Sequence, residues 1–93
     1  NLCPDDAWIW MNHGVTMVHL GKYTEAEESF QKTLRIEPTS ADGHRLLGQL
    51  YADQGLYQAA HRSLSTSLRY QPDQPDVRAM IERIAGWIGF SGA

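Results

Sequence analysis

Residues 21–38, GKYTEAEESFQKTLRIEP, are followed at a displacement of 34 residues by residues 55–72, GLYQAAHRSLSTSLRYQP. Turn-forming and small residues coincide in the two stretches, namely Gly21 with Gly55, Tyr23 with Tyr57, Ala26 with Ala60, Ser29 with Ser63 and Pro38 with Pro72. A fixed period between about 20 and 50 residues is typical of stacked supersecondary units. Such stacks present extended surfaces rather than enclosed catalytic pockets, which makes binding the first function to consider.

Bulk composition narrows the class of protein. The 93 residues suit one small domain, and the net charge of −3 offers no basic stripe for nucleic acid or anionic lipid. No apolar run approaches the roughly 20 residues that a membrane span needs, and no signal peptide is recognisable. The single cysteine, Cys3, cannot form an internal disulfide, which favours a reducing compartment. We therefore expect a soluble chain without membrane insertion, with a cytoplasmic location favoured and no compartment fixed.

A first helix is predicted over about 7–20. Asp5 and Asp6 are suited to cap its amino end, and Gly21 is suited to end it. The apolar residues recur with a period of 3.6 rather than 2, which indicates a helix and not a strand. The face expected to point inward consists of Trp10, Gly14, Met17 and Leu20.

A second helix is predicted over about 24–36. Thr24 with Glu27 three residues later forms a capping-box pattern, and Pro38 disfavours helix in the residue before it. The inward stripe is expected to consist of Ala26, Phe30, Thr33 and Leu34.

The same order of signals then recurs. Thr39 or Ser40 is expected to cap a third helix over about 41–54, Gly55 to end it, and a fourth helix to follow over about 57–70. Their inward residues are expected to be Leu47, Gly48, Leu50, Tyr51, Ala60, Leu64 and Leu68.

A fifth helix is predicted to begin near Pro75, a favoured first-turn residue, and to end near Gly86 or Ile88. Its apolar stripe is Val77, Ile81, Ile84 and Ile88. No stretch has the alternation of a strand. The sequence therefore predicts an all-α fold of tandem antiparallel helical hairpins, an α-solenoid of about five helices.

These residues at fixed spacing resemble the tetratricopeptide repeat family over about 7–74. The motif positions are filled by Trp10, Gly14, Gly21, Tyr23, Ala26, Phe30 and Pro38, and again by Leu47, Gly48, Tyr51, Gly55, Tyr57, Ala60, Leu64 and Pro72. Gly14 with Ala26, and Gly48 with Ala60, are expected to let the helices of each hairpin approach closely. Thr33 and Ser67 stand where the family usually has alanine, and His44 stands at the position of Trp10.

The resemblance also implies a division of the chain. The expected segments are the tail of an upstream repeat at 1–6, a first repeat at 7–40, a second at 41–74 and a C-terminal capping helix at 75–90, all in one domain. Pro4 falls at the repeat-ending proline position, so we expect these residues to be a piece of a longer protein.

The resemblance implies a non-catalytic scaffold or adaptor that binds a protein or peptide partner in a concave groove, without a cofactor. First helices of the hairpins line such grooves in the family. The candidate contact residues are Trp8, Met11, Asn12, Val15, His19, Arg45, Gln49, Asp53 and, from the closing helix, Arg83 with Asp76 and Met80. The alternative for Trp8 and Met11 is packing against an upstream repeat.

One ligand class of the family is not expected. Members that bind chaperone tails hold a terminal carboxylate with Lys, Asn and Arg, whereas Met11, Val15 and Leu46 occupy the corresponding positions. Asn12 matches the asparagine ladder of some peptide-binding members, but Leu46 interrupts that ladder in the next unit. Capture of a chaperone carboxylate is therefore not predicted.

No catalytic or metal site is predicted. His13 and His44 lie on neighbouring first helices and could approach each other, but a zinc site needs three or four ligands. No Ser–His–acid spacing and no phosphate-binding glycine loop is present. We expect neither an enzyme nor a metalloprotein.

The closing helix carries more apolar residues than one stripe requires. Trp87, Ile88 and Phe90 form a candidate assembly surface, for a second copy of the chain or a further segment. Two alternatives to the adaptor function remain: an assembly segment of a longer repeat protein, and the regulatory part of an enzyme whose catalytic domain lies elsewhere.

Overall fold

The computed structural model describes residues 6–91, and the side chains of residues 6–88. Its five helices are α1 (Ala7–His19), α2 (Tyr23–Ile36), α3 (Ala41–Asp53), α4 (Tyr57–Tyr70) and α5 (Pro75–Ser91). No strand occurs in the described part of the chain. The predicted all-α fold of helical hairpins is confirmed, but α5 continues beyond its predicted end. Cys3, Pro4 and the side chain of Phe90 lie outside the description.

The helices form two hairpins and a closing helix. Helix α1 packs mainly on α2, and α3 packs mainly on α4. Between the two hairpins α2 packs on α3, and α5 packs on α4. The described chain measures 51 × 28 × 18 Å along its principal axes, so the stack is elongated. This shape leaves much of each helix open to solvent.

Side-chain caps begin α1 and α3. The Asp6 carboxylate accepts a hydrogen bond from the Trp8 backbone N–H at 2.9 Å, and the Ser40 hydroxyl accepts one from the Gly43 N–H at 3.0 Å. Each satisfies a donor that has no partner within the helix. The two predicted caps at these residues are confirmed.

The capping box at Thr24 was a wrong prediction. Gly21 adopts φ of 75°, which turns the chain so that the Lys22 N–H donates to the Met17 carbonyl at 2.8 Å. Helix α2 then begins at Tyr23, one residue before Thr24, and no side chain caps it. Gly55 makes the same turn with φ of 79°. These left-handed glycine turns, and not side-chain caps, start the second helix of each hairpin.

Two apolar clusters hold the stack together. The buried members are Ala26, Phe30, Leu47 and Leu50 in one cluster and Ala60, Leu64, Val77 and Ile84 in the other, and Tyr51 packs against both. Leu20 was predicted to face inward but is 61% exposed, because it lies past the end of α1 as the C-cap residue. The α-helical periodicity that places Met17 no longer applies to a residue in the turn.

Each hairpin depends on a glycine that makes room for a large side chain. A Cβ atom on Gly14 would lie 2.5 Å from the Phe30 ring, and one on Gly48 would lie 2.7 Å from Leu64 Cγ and 3.2 Å from the Ala60 carbonyl oxygen. The predicted close approach therefore exists. At Gly14 the neighbouring group is the ring of Phe30 rather than the methyl group of Ala26.

Thr33 and Ser67, which stand where the resemblance implies alanine, carry buried hydroxyl groups that form hydrogen bonds. The single hydroxyl hydrogen of Thr33 is shared between two carbonyl oxygens, that of Ser29 at 3.1 Å and that of Ala7 at 3.4 Å. Ser67, its equivalent, donates to the Ala41 carbonyl at 2.8 Å. Both side chains are fully buried. Each hydroxyl thus ties the second helix of a hairpin to the first turn of the first helix, at a cost in desolvation that the hydrogen bond offsets.

A tyrosine joins the two hairpins. The Tyr51 hydroxyl on α3 donates to the Glu27 carboxylate on α2 at 2.9 Å. Burial, this hydrogen bond and the negative charge of Glu27 raise the pKa of Tyr51, and a weaker contribution from Gln31 lowers it. The interaction favours the neutral phenol in the folded chain.

We expect Gly48→Ala to lower the free energy of unfolding by about 1–3 kcal/mol, because the added methyl group overpacks the Leu64 contact. The matched control is Gly86→Ala, where nothing lies within 4 Å of the added Cβ. That change should stabilise the helix by about 0.5–1 kcal/mol. Urea denaturation followed by circular dichroism measures both, and equal effects would contradict the steric account.

A second prediction concerns alkaline pH. The unfolded chain loses the Tyr51 proton near pH 10 while the folded chain retains it, so the free energy of unfolding falls as pH rises from there through the higher folded pKa. In Tyr51→Phe this contribution to the fall should disappear. Tyr23→Phe, at an exposed position, is the control and should keep the wild-type slope. Urea titrations at several alkaline pH values give the comparison.

Candidate binding groove

The first cleft of the candidate site lies between α1 and α3 and has a volume of about 190 Å³. Its apolar lining consists of Val15, Val18, Phe30, Leu46 and Leu50, and its polar residues are His19, Gln49 and Asp53. Successive first helices contribute most of these residues. The arrangement offers an apolar pocket with hydrogen-bonding groups beside it, which is the usual composition of a binding pocket.

A second cleft of about 360 Å³ lies between α3 and the start of α5. It is lined by Arg45, Gln49, Asp73, Gln74, Pro75, Asp76, Val77 and Met80. Gln49 belongs to both clefts, so the two adjoin along α3. We call the residues that line either cleft the groove.

Arg45, the arginine of the groove, forms only a weak ion pair within the chain. Arg45 and Asp42 form an ion pair with an Nη2–Oδ1 distance of 3.5 Å, three residues apart on α3. Their side chains are 35% and 58% exposed, and exposed pairs of this kind contribute about 0–1 kcal/mol. Arg45 can therefore exchange Asp42 for a carboxylate of a ligand at little cost. Asp73 and Asp76 at the opposite wall could meet a ligand cation.

The structure divides the predicted contact residues into two groups. Those that line the groove are Val15, His19, Arg45, Gln49 and Asp53, together with Asp76 and Met80. Trp8, Met11, Asn12 and Arg83 lie outside its lining. Trp8 is 65% exposed, and the Asn12 side chain donates to the Trp8 carbonyl at 3.0 Å, which folds it back on α1. Arg83 is exposed on α5.

Sequence reasoning missed part of the lining. Val18 lies three residues after Val15, so the helical period could have placed it beside the cleft. Asp73 and Gln74 come from the connection between α4 and α5, and no periodicity predicts where a connection passes. The loop residues were therefore beyond reach of the sequence pattern.

His13 and His44 make separate contacts. The ring of His13 meets Trp10 edge-on at 6.1 Å between centroids. The ring of His44 stacks on Tyr70 at 5.7 Å, with its Nε2 3.0 Å from the Pro38 carbonyl oxygen. No group of three metal-binding side chains occurs among the described residues. The two histidines act as packing and hydrogen-bonding groups for their own hairpins.

The candidate assembly surface is partly engaged within the chain. Trp87 is 45% exposed, but its ring lies 5.0 Å from that of Tyr57. Ile88 packs half-buried against the cluster around Leu64. Self-association through this end of α5 stays a prediction. In the described part of the chain, every helix falls short of the length and apolar character needed to cross a membrane.

Comparison with known proteins decides the family. The sequence model of the tetratricopeptide repeat matches residues 17–84, most of the chain. The chain belongs to the tetratricopeptide repeat family. Its unusual hydroxyl residues Thr33 and Ser67 are thus a variation within an established repeat, one that replaces an apolar contact by a buried hydrogen bond.

Curated relatives of this tetratricopeptide repeat chain include DnaJ homolog subfamily C member 7 from Mus musculus and from Homo sapiens. Each is 29% identical over 68 residues, which is 73% of this chain and 14% of the relative. The chain therefore spans only about a seventh of the length of these relatives.

Two solved structures have the same fold. The first TPR (tetratricopeptide repeat) domain of Spaghetti (RPAP3), bound to the HSP90 peptide SRMEEVD, superposes with a TM-score of 0.87 at 13% identity, covering 92% of this chain and 68% of that one. MamA superposes with a TM-score of 0.84 at 22% identity, covering 92% and 50%. These likenesses show the fold of the tetratricopeptide repeat chain.

Proposed function

We propose that this chain is a non-catalytic interaction module, with a scaffold or adaptor role, that binds an extended segment of a partner protein in the groove. The observation that carries the proposal is the pair of adjoining clefts, one apolar and one charged, that share Gln49. An extended peptide lying along α3 would reach both. The Gln49 amide can donate to and accept from a peptide backbone, which fixes the position of the ligand.

The groove favours a ligand anchored by an apolar side chain. Val15 and Leu46, which stand where chaperone-binding members of the family have polar residues, line the apolar cleft. An inserted apolar side chain would contribute about 25 cal/mol per Å² of apolar surface buried. A neighbouring acidic residue of the ligand would meet Arg45. The proposed ligand is therefore an internal segment with apolar and acidic residues, and the terminal carboxylate is not its anchor.

The test begins with peptides selected from a random library displayed on phage against the wild-type chain. We expect Gln49→Trp, which places a bulky side chain where the two clefts adjoin, and Arg45→Glu, which reverses the charge, each to weaken binding of the selected peptides by about tenfold or more. Fluorescence anisotropy with labelled peptides measures the dissociation constants, and circular dichroism confirms that each variant is folded.

The matched control is Arg83→Glu, which makes the same charge change on an exposed residue outside the groove. It should leave affinity within about twofold of the wild type. The heptapeptide SRMEEVD serves as a comparison ligand and should bind more weakly than the selected peptides. Failure to select any peptide, or equal losses from Arg83→Glu and Arg45→Glu, would overturn the proposal.

A further inference from the structure

A third cleft lies between α4 and α5, with a volume of about 670 Å³. We call it the outer cleft; its lining consists of Gln58, His61, Arg62, Ser65, Thr66, Arg69, Ala85 and Ile88. None of these residues lines the groove, and none is acidic. Two arginines and a histidine therefore face an open cleft in a chain whose net charge is −3.

The two arginines are available to a ligand. Arg62 and Arg69 are exposed and seven residues apart on α4, which places them two turns apart on the same side of the helix. Neither forms an ion pair with a carboxylate in the described part of the chain. The Thr66 hydroxyl donates to the Arg62 carbonyl and leaves the guanidinium untouched. Glu82, three residues before Ala85, is not part of the lining.

The first repeat lacks this arrangement. A displacement of 34 residues relates His61 to Glu27 and Arg62 to Glu28, while Arg69 corresponds to Arg35. The turns of the two repeats agree, but Arg62 carries the charge opposite to that of Glu28, and His61 replaces the carboxylate of Glu27. Packing does not require the reversal, because Glu28 and Arg62 are both exposed. The cationic outer cleft is a property of the second repeat.

The geometry points to a second binding site in the outer cleft, for an acidic segment of a partner protein. Carboxylates of the segment would pair with Arg62 and Arg69, since guanidinium groups bind carboxylates through paired hydrogen bonds. An apolar side chain between the carboxylates would lie on Ala85 and Ile88. Two arginines are too few for the basic stripe that nucleic acid requires, and this favours a peptide ligand. The site does not depend on the groove.

The experiment uses a fluorescein-labelled, end-blocked peptide of glutamate and leucine, and the same peptide with glutamine for glutamate. We expect the acidic peptide to bind the wild-type chain and the glutamine version to bind at least about tenfold more weakly. Arg62→Glu and Arg69→Glu should each lower affinity for the acidic peptide by about tenfold. Added salt should weaken binding, because the charges lie at the surface.

Arg35→Glu is the matched control for Arg69→Glu, because the two residues occupy equivalent sites in the last turns of α2 and α4. If Arg35→Glu and Arg69→Glu lowered affinity for the acidic peptide equally, the peptide would be responding to the overall charge of the chain, and the proposal would be overturned. A loss in Arg45→Glu without a loss in Arg62→Glu would assign the peptide to the groove and would also overturn it. So would tighter binding of heparin than of the peptide at the same arginines, since that outcome marks a polyanion site. Thermal unfolding by circular dichroism checks that every variant is folded.

Discussion

The packing of both hairpins depends on Gly14 and Gly48, because a glycine has no Cβ atom. The Phe30 ring and the Leu64 side chain occupy the space that a Cβ atom would need, so each pair of helices meets at a distance that only glycine permits. The close contact brings Ala26 and Ala60 to complete burial. It also brings the buried hydroxyls within reach of the opposite helix, so the polar and apolar contacts depend on one geometry.

Contacts between the hairpins then decide which surfaces stay open. Tyr51 packs on both apolar clusters and also bonds to Glu27, so it fixes α3 against α2. Because α3 is held there, its outward residue Gln49 lies between α1 and α5 and lines two clefts at once. The outer cleft lies between α4 and the closing helix α5, and α5 contributes Ile88 to its wall. An elongated stack thus offers open clefts along its surface.

The sequence predicted what backbone geometry imposes and missed what depends on the placement of helices. Gly21 and Gly55 marked the turns correctly because only glycine readily adopts their positive φ. The capping box predicted at Thr24 was wrong because the glycine turn starts α2 without a side-chain cap. Helical period placed Val15 and Gln49 on an open face, where they line clefts. Clefts form between elements, however, and their relative positions are not encoded in the period of a single helix.

Comparison of the two repeats separates the residues that build the fold from those available for binding. Several positions that agree at the 34-residue displacement, such as Gly14 with Gly48 and Ala26 with Ala60, are buried or close-packed. Glu28 and Arg62, which carry opposite charges at equivalent positions, both face solvent. Since packing tolerates either charge at that site, the surface charge of one repeat can change without altering the stack. The surface charge and the packed core of such a short helical repeat can thus vary independently of each other.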